Sequence, residues 1–127
     1  MYLFEPFTEK SQPGMNVEMD MHTIQPTFAV IYKWKLIAGT EVDFIEAWKE
    51  MTIALRERGS LGSRLHKSHD GYWIAYAQWP SEAARQKAFE IPFNLDASAR
   101  MQACVSESFE ETRLELVSDL LLNQHSS

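Results

Sequence analysis

At 127 residues, with 45% hydrophobic and 24% charged positions, the chain has the size and composition of one globular domain with a sizeable core. A net charge of −6 argues against nucleic acid or an anionic membrane as the main partner, because both reward clustered Lys and Arg. The one cysteine, Cys104, has no internal disulfide partner and no apolar run approaches a membrane span, so a cytoplasmic protein is expected.

Residues 1–26 read as an arm with its own character: Tyr2, Phe4 and Phe7 are aromatic, Pro13-Gly14 marks a turn, and no helical period is visible. Val17, Met19 and Met21 alternate with Glu18, Asp20 and His22, which predicts one extra strand there. Thr27 to Ile37 is the first clear strand, rich in β-branched and aromatic residues. Its faces are Phe28, Val30, Tyr32, Trp34, Leu36 and Ala29, Ile31, Lys33, Lys35, Ile37. Thr40 then opens a helix to about Arg58, with Asp43 completing a shortened capping box. Phe44, Trp48, Met51 and Leu55 form its apolar stripe, and Gly59 is the expected stop.

Gly59 to Pro80 reads as a β-hairpin closed by the two-residue turn Asp70-Gly71. That turn pairs His69 with Tyr72, His66 with Ala75 and Arg64 with Ala77. One face then carries Arg64, His66, Trp73, Ala75, Ala77 and Trp79. Two alanines between two tryptophans, beside an Arg and a His, offer both room and polarity. Ser81 caps a second helix with Ala84, Ala88 and Phe89 as its apolar side, interrupted at Ile91-Pro92. A third helical segment spans roughly 95–106, and a last strand runs from Glu111 to about Leu120.

The order strand, helix, strand, strand, helices, strand is that of a split βαβ fold. It predicts an α+β, ferredoxin-like domain: a four-stranded antiparallel sheet with helices on one face. The expected organisation is an arm over 1–26, the α+β domain over 27–119 and a tail over 120–127. Neither sheet face is polar, so the face without helices is an interaction surface, and a homodimer through the sheet is expected.

The runs Lys35 to Phe44, Gly59 to His66 and Trp73 to Ser81 resemble the antibiotic biosynthesis monooxygenase superfamily. The resemblance covers about 27–119. It implies a dimeric α+β barrel, with a ligand pocket in each subunit between sheet and helices. Some members of that group oxygenate polycyclic phenols without a cofactor and others degrade haem. The haem-degrading pattern asks for an asparagine where Tyr32 stands and for a histidine on a following helix. No histidine occurs between His69 and His125, so only the tryptophan, Trp79, matches and haem degradation is not implied.

Cofactor-free oxygenation needs an apolar cavity, aromatic walls and a group that takes a proton and stabilises the resulting anion. On this reading His66 is the general base, Arg64 holds the anionic oxygen, and Tyr32, Trp34, Trp73 and Trp79 stack on a small aromatic substrate. The competing reading makes each of these a packing or surface residue and the protein a non-catalytic small-molecule-binding or stress-associated dimer. No cofactor or metal is expected, since phosphate-binding and zinc spacings are absent. An RNA-binding role would need a basic sheet and an aromatic strand motif that the chain lacks.

Overall fold

A computed structural model describes residues 25–92 and 96–122. The elements are β1 (Phe28–Leu36), α1 (Glu41–Arg56), β2 (Gly62–Lys67), β3 (Trp73–Trp79), α2 (Glu82–Glu90), α3 (Asp96–Cys104), β4 (Val105–Ser108) and β5 (Thr112–Glu115). The sheet is antiparallel in the order β2-β3-β1-β4, with β5 also on β1. This is the ferredoxin-like arrangement expected from the element order. The fourth strand differs from expectation, because it begins directly after α3 and is broken in two. β4 covers the far end of β1 and β5 the near end, and within the β1–β4 pairing the register shifts at Lys35/Leu36. The expected strand over Val17–His22 and the end of the chain from residue 123 lie outside the described residues.

Helix α1 follows its apolar stripe: Phe44 and Ala47 are fully buried, while Glu46, Lys49 and Glu50 face water. The Thr40 capping box does not form. Thr40 Oγ1 instead donates to the Ile37 carbonyl at 2.7 Å, tying the strand end to the helix start. At the other end Gly59 N–H bonds the Arg56 carbonyl and Ser60 N–H reaches back to that of Leu55, a Schellman closure with Gly59 at φ +111°. Ser81 caps α2 as predicted, its Oγ accepting from Ala84 N–H at 3.0 Å. The Arg58 guanidinium closes the far end of α2, donating to the Ala88 and Ile91 carbonyls at 2.9 and 2.6 Å. Phe28, Val30, Trp79 and Ala88 form the buried centre, against which Tyr32, Leu55 and Ala84 pack.

The hairpin corrects the sequence reading. Ser68, not His69, pairs with Tyr72 (N–H to O, 2.8 Å), which leaves a three-residue loop with Gly71 at φ +93°. Ser68 Oγ bonds both the Asp70 carboxylate and the Tyr72 N–H, so the side chain at the base of the loop favours the longer connection. The β2–β3 register is therefore one residue away from the expected one: Arg64 pairs with Tyr76, Leu65 with Ala75 and His66 with Ile74. A slip of one residue reverses every side chain on the strand. Ser63, Leu65 and Lys67 thus share the helix-covered face with Trp73, Ala75, Ala77 and Trp79, while Arg64 and His66 stand on the open face.

A Cβ at position 59 would meet nothing within 4 Å, so any cost of substitution there comes from the backbone alone. Gly59→Ala is expected to destabilise the protein by about 1–2 kcal/mol and Gly59→Asn by less, read from urea unfolding midpoints.

Candidate active site

Between the sheet and the helices lies a half-open cavity of about 330 Å³, within the usual range for a small-molecule pocket. The sheet supplies its floor: Tyr32 and Trp34 from β1, Ser63 from β2, and Ala75, Ala77 and Trp79 from β3. The two alanine methyls leave space that larger side chains would fill. Cross-strand pairing sets Tyr32 beside Ala75, Val30 beside Ala77 and Phe28 beside Trp79, so rings flank the gap on both strands. The roof comes from Trp48, Met51 and Leu55 of α1, with Phe89 of α2 and Met101 of α3 closing the sides.

One end of this apolar space is polar. Arg85 enters from α2 on the same stripe as Ser81 and Phe89, and its side chain is only 13% exposed. Its Nη2 donates to Tyr32 Oη at 3.0 Å and to Glu111 Oε1 at 3.0 Å, and the guanidinium lies 5.2 Å from the centre of the Phe89 ring. Glu111, just before β5, takes a second bond on its other oxygen from Arg113 Nε at 2.9 Å, and Arg113 also pairs with Glu82. Burial opposes charge on Arg85, but its bonds to Tyr32 and Glu111 outweigh that and hold its pKa above the ordinary value. Burial likewise pushes the Glu111 carboxyl up, and the bonds from Arg113 and Arg85 more than reverse it, leaving the group below its usual range.

Two donors in this region have no hydrogen-bond partner among the described residues. The indole N–H of Trp79, a residue 1% exposed, and the Nε–H of Arg85 are both buried and unbonded. A buried unpaired donor costs about 1–3 kcal/mol, so each of these positions carries a local cost. Because Arg85 donates to Tyr32 Oη, the phenol keeps its own hydrogen for a further acceptor. Tyr32 and Trp34 stack, with centroids 5.7 Å apart and planes 8° from parallel, a flat wall suited to an aromatic ring.

Of the residues singled out in the sequence, Tyr32, Trp34 and Trp79 line the cavity. Trp73 shares their sheet face but packs edge-on against Phe44 at 6.1 Å with Lys67 over its ring, and it does not line the space. Arg64 and His66 are exposed on the opposite face, so the shifted register removes both from the cavity. Arg85 and Glu111 escaped the sequence reading. The signal for Arg85 was present: a cation at the position that completes the Ala84, Ala88, Phe89 stripe of α2. Glu111 offered none, since its place depends on where the last strand breaks.

No protein-family model and no curated protein matches the sequence. Solved structures do match the fold. The chain is similar to SnoaB from Streptomyces nogalater, a cofactor-independent oxygenase, at TM-score 0.63 and 15% identity over 76% of this chain and 98% of that one. It is similar to a Chloroflexus aurantiacus J-10-fl protein assigned to the antibiotic biosynthesis monooxygenases, at TM-score 0.62 and 15% identity over 76% and 99%. A dimeric ferredoxin-like protein from an uncultured marine organism matches at TM-score 0.61 and 16% identity over 80% and 96%. The resemblance read from the sequence holds at the level of fold: this chain has the fold that the antibiotic biosynthesis monooxygenase structures share. No helix among the described residues is long and apolar enough to cross a membrane.

The Glu111 pairing carries a pH signature. Its folded-state pKa lies below the unfolded value near ~4.3, so its contribution is complete above that value and is lost as pH falls through the folded pKa. Between about pH 6 and about pH 3 the parent protein should therefore lose more stability than Glu111→Gln, measured as unfolding midpoints across the series.

Proposed function

We propose that the cavity is the active site of a cofactor-independent oxygenase acting on a quinol-type aromatic metabolite. The observation that carries this reading is an aromatic-walled space with Arg85 and Tyr32 at its polar end, donors matched to an oxygen anion. A hydroxylated aromatic ring lies against the Tyr32–Trp34 wall with its oxygen toward Arg85. Loss of the phenolic proton to water at the open side of the cavity gives an anion held by the guanidinium. That anion passes an electron to O₂, and recombination of the radical pair forms a carbon–oxygen bond as a peroxide. Loss of water from the peroxide leaves a carbonyl, so the ring compound plus O₂ yields a quinone plus water. One oxygen atom stays in the product, and the substrate supplies all the electrons. The apolar roof of Trp48, Met51 and Leu55 limits water at the reacting carbon.

Glu111 acts through Arg85, fixing its orientation. His66 and Arg64 are given no part in the chemistry. In the same reading the protein is a cytoplasmic homodimer that packs through the open sheet face, where Ile31, Ile74, Tyr76 and Leu114 share one side. The dimeric ferredoxin-like structure supports a dimer.

Oxygen consumption with a panel of quinols tests the proposal. Arg85→Met and Tyr32→Phe are expected to lower kcat/KM by about 10²-fold and about 10-fold, while His66→Ala leaves it unchanged. If the quinols bind, by quenching of tryptophan fluorescence, but none drives oxygen uptake, the chain is a binding protein and the oxygenase reading falls.

A further inference from the structure

Six methionines stand in the sequence, and two of them, Met51 and Met101, line the cavity. The other four fall within residues 1–21. Met51 sits on the α1 stripe between Trp48 and Leu55, and Met101 comes from α3. Each directly follows one partner of the Glu50–Arg100 ion pair, which ties α1 to α3 beside the cavity. A thioether is soft and polarisable, and peroxides convert it to the sulfoxide. The protein's one thiol is placed elsewhere. Cys104 is buried, its Sγ donates to the Arg100 carbonyl, and it does not line the space.

We infer that Met51 and Met101 are modification sites, oxidised to the sulfoxide by the ring hydroperoxide formed in the cavity, an inference that rests on the oxygenase reading above. A ring held against the Tyr32–Trp34 wall has one face covered. O₂ therefore adds on the face turned to the helices, and the O–O bond lies on the side of the thioethers. The sulfur gives an electron pair to the terminal peroxide oxygen and the O–O bond breaks. The oxygen left on carbon keeps the bonding pair and takes the proton of the transferred hydroxyl. Sulfur is oxidised by two electrons, the peroxide is reduced by two, and the ring compound leaves as a hydroxylated product in place of the quinone. Loss of water competes with this step and needs a base to take the proton from carbon. Among the described residues the one carboxylate lining the cavity, Glu111, is already held by Arg85 and Arg113. The hydroperoxide thus persists beside sulfur at the high effective concentration of a shared cavity. A sulfoxide sets a polar acceptor in the apolar roof, so each transfer lowers later turnover.

The test runs the full chain with dihydroxynaphthalene, a quinol with unsubstituted ring carbons, under isotopically labelled O₂ with catalase present. Peptide mass spectrometry reads the sulfoxides. Labelled oxygen on Met51 or Met101 should exceed that on the four methionines of residues 1–21 by about 10-fold, and only when quinol is supplied. Met51→Leu/Met101→Leu, a volume-conserving pair of changes, should complete about 10-fold more turnovers than the parent before half of its own activity is lost. Oxygen uptake that leaves no label on either sulfur overturns the inference and leaves the oxygenase reading intact. Label spread evenly over the six methionines, or abolished by catalase, traces the oxidant to free peroxide and overturns it as well. Quinol that binds without any oxygen uptake overturns the oxygenase reading, and the inference with it.

Discussion

A residue on a β-strand faces one side of the sheet or the other, and the β1–β3 ladder makes that choice for the whole domain. Once Val30 lies opposite Ala77 and Tyr32 opposite Ala75, β3 presents two methyl groups to the helices between two indoles. Neither β1 nor α1 can fill the gap that results. Tyr32 is drawn sideways by stacking on Trp34 and by its bond to Arg85, and Phe44 is spent on edge contacts with Trp34 and Trp73. The cavity is therefore a consequence of pairing, and its walls are core residues with one face left uncovered.

Placing a guanidinium at the end of that space has a cost that the surroundings must offset. An unpaired buried charge would destabilise the domain by several kcal/mol. Here it is met by a carboxylate, a phenol and an aromatic face, contributed by β1, α2 and the turn before β5. The carboxylate is in turn held by Arg113, so the site charge is tied into a chain of pairs that reaches the surface at Glu82. A cation compensated on one side only would be drawn out of the cavity. Glu111 balances the pull toward solvent by holding Nη2, the same nitrogen that donates to Tyr32.

Much of this was legible in the chain itself. The element order, the apolar stripe of α1, the Gly59 stop, the Ser81 cap and the gap-making alanines follow from spacing and local chemistry. What escaped were features set by a single residue of register. Asp70-Gly71 is a strong signal for a two-residue turn, yet Ser68 holds the loop open by bonding Asp70 and Tyr72 at once. That one step sends His66 and Arg64 to the wrong side for the chemistry first assigned to them. Long-range partners were invisible for a related reason. Arg85 and Glu111 meet across 26 positions, and nothing local marks the break between β4 and β5 in which Glu111 would have to be placed.

The same register change alters what the open face can do. Alternation now adds Arg64 and His66 to a face that already holds Lys33 and Lys35, and the Lys33 ammonium is drawn over Tyr72 at 4.2 Å and Phe109 at 5.1 Å. Glu107, paired with Lys35, is the acid nearest to them on the ladder. The apolar part of the face shrinks to a strip from Ile74 and Tyr76 across Ile31 to Leu114, flanked by cations that a two-fold copy would meet with its own. Such a strip is a weak glue for a stable pair, since like charges at the rim oppose it. The Lys33 ammonium is held over the Tyr72 and Phe109 rings, which draws that charge onto aromatic faces.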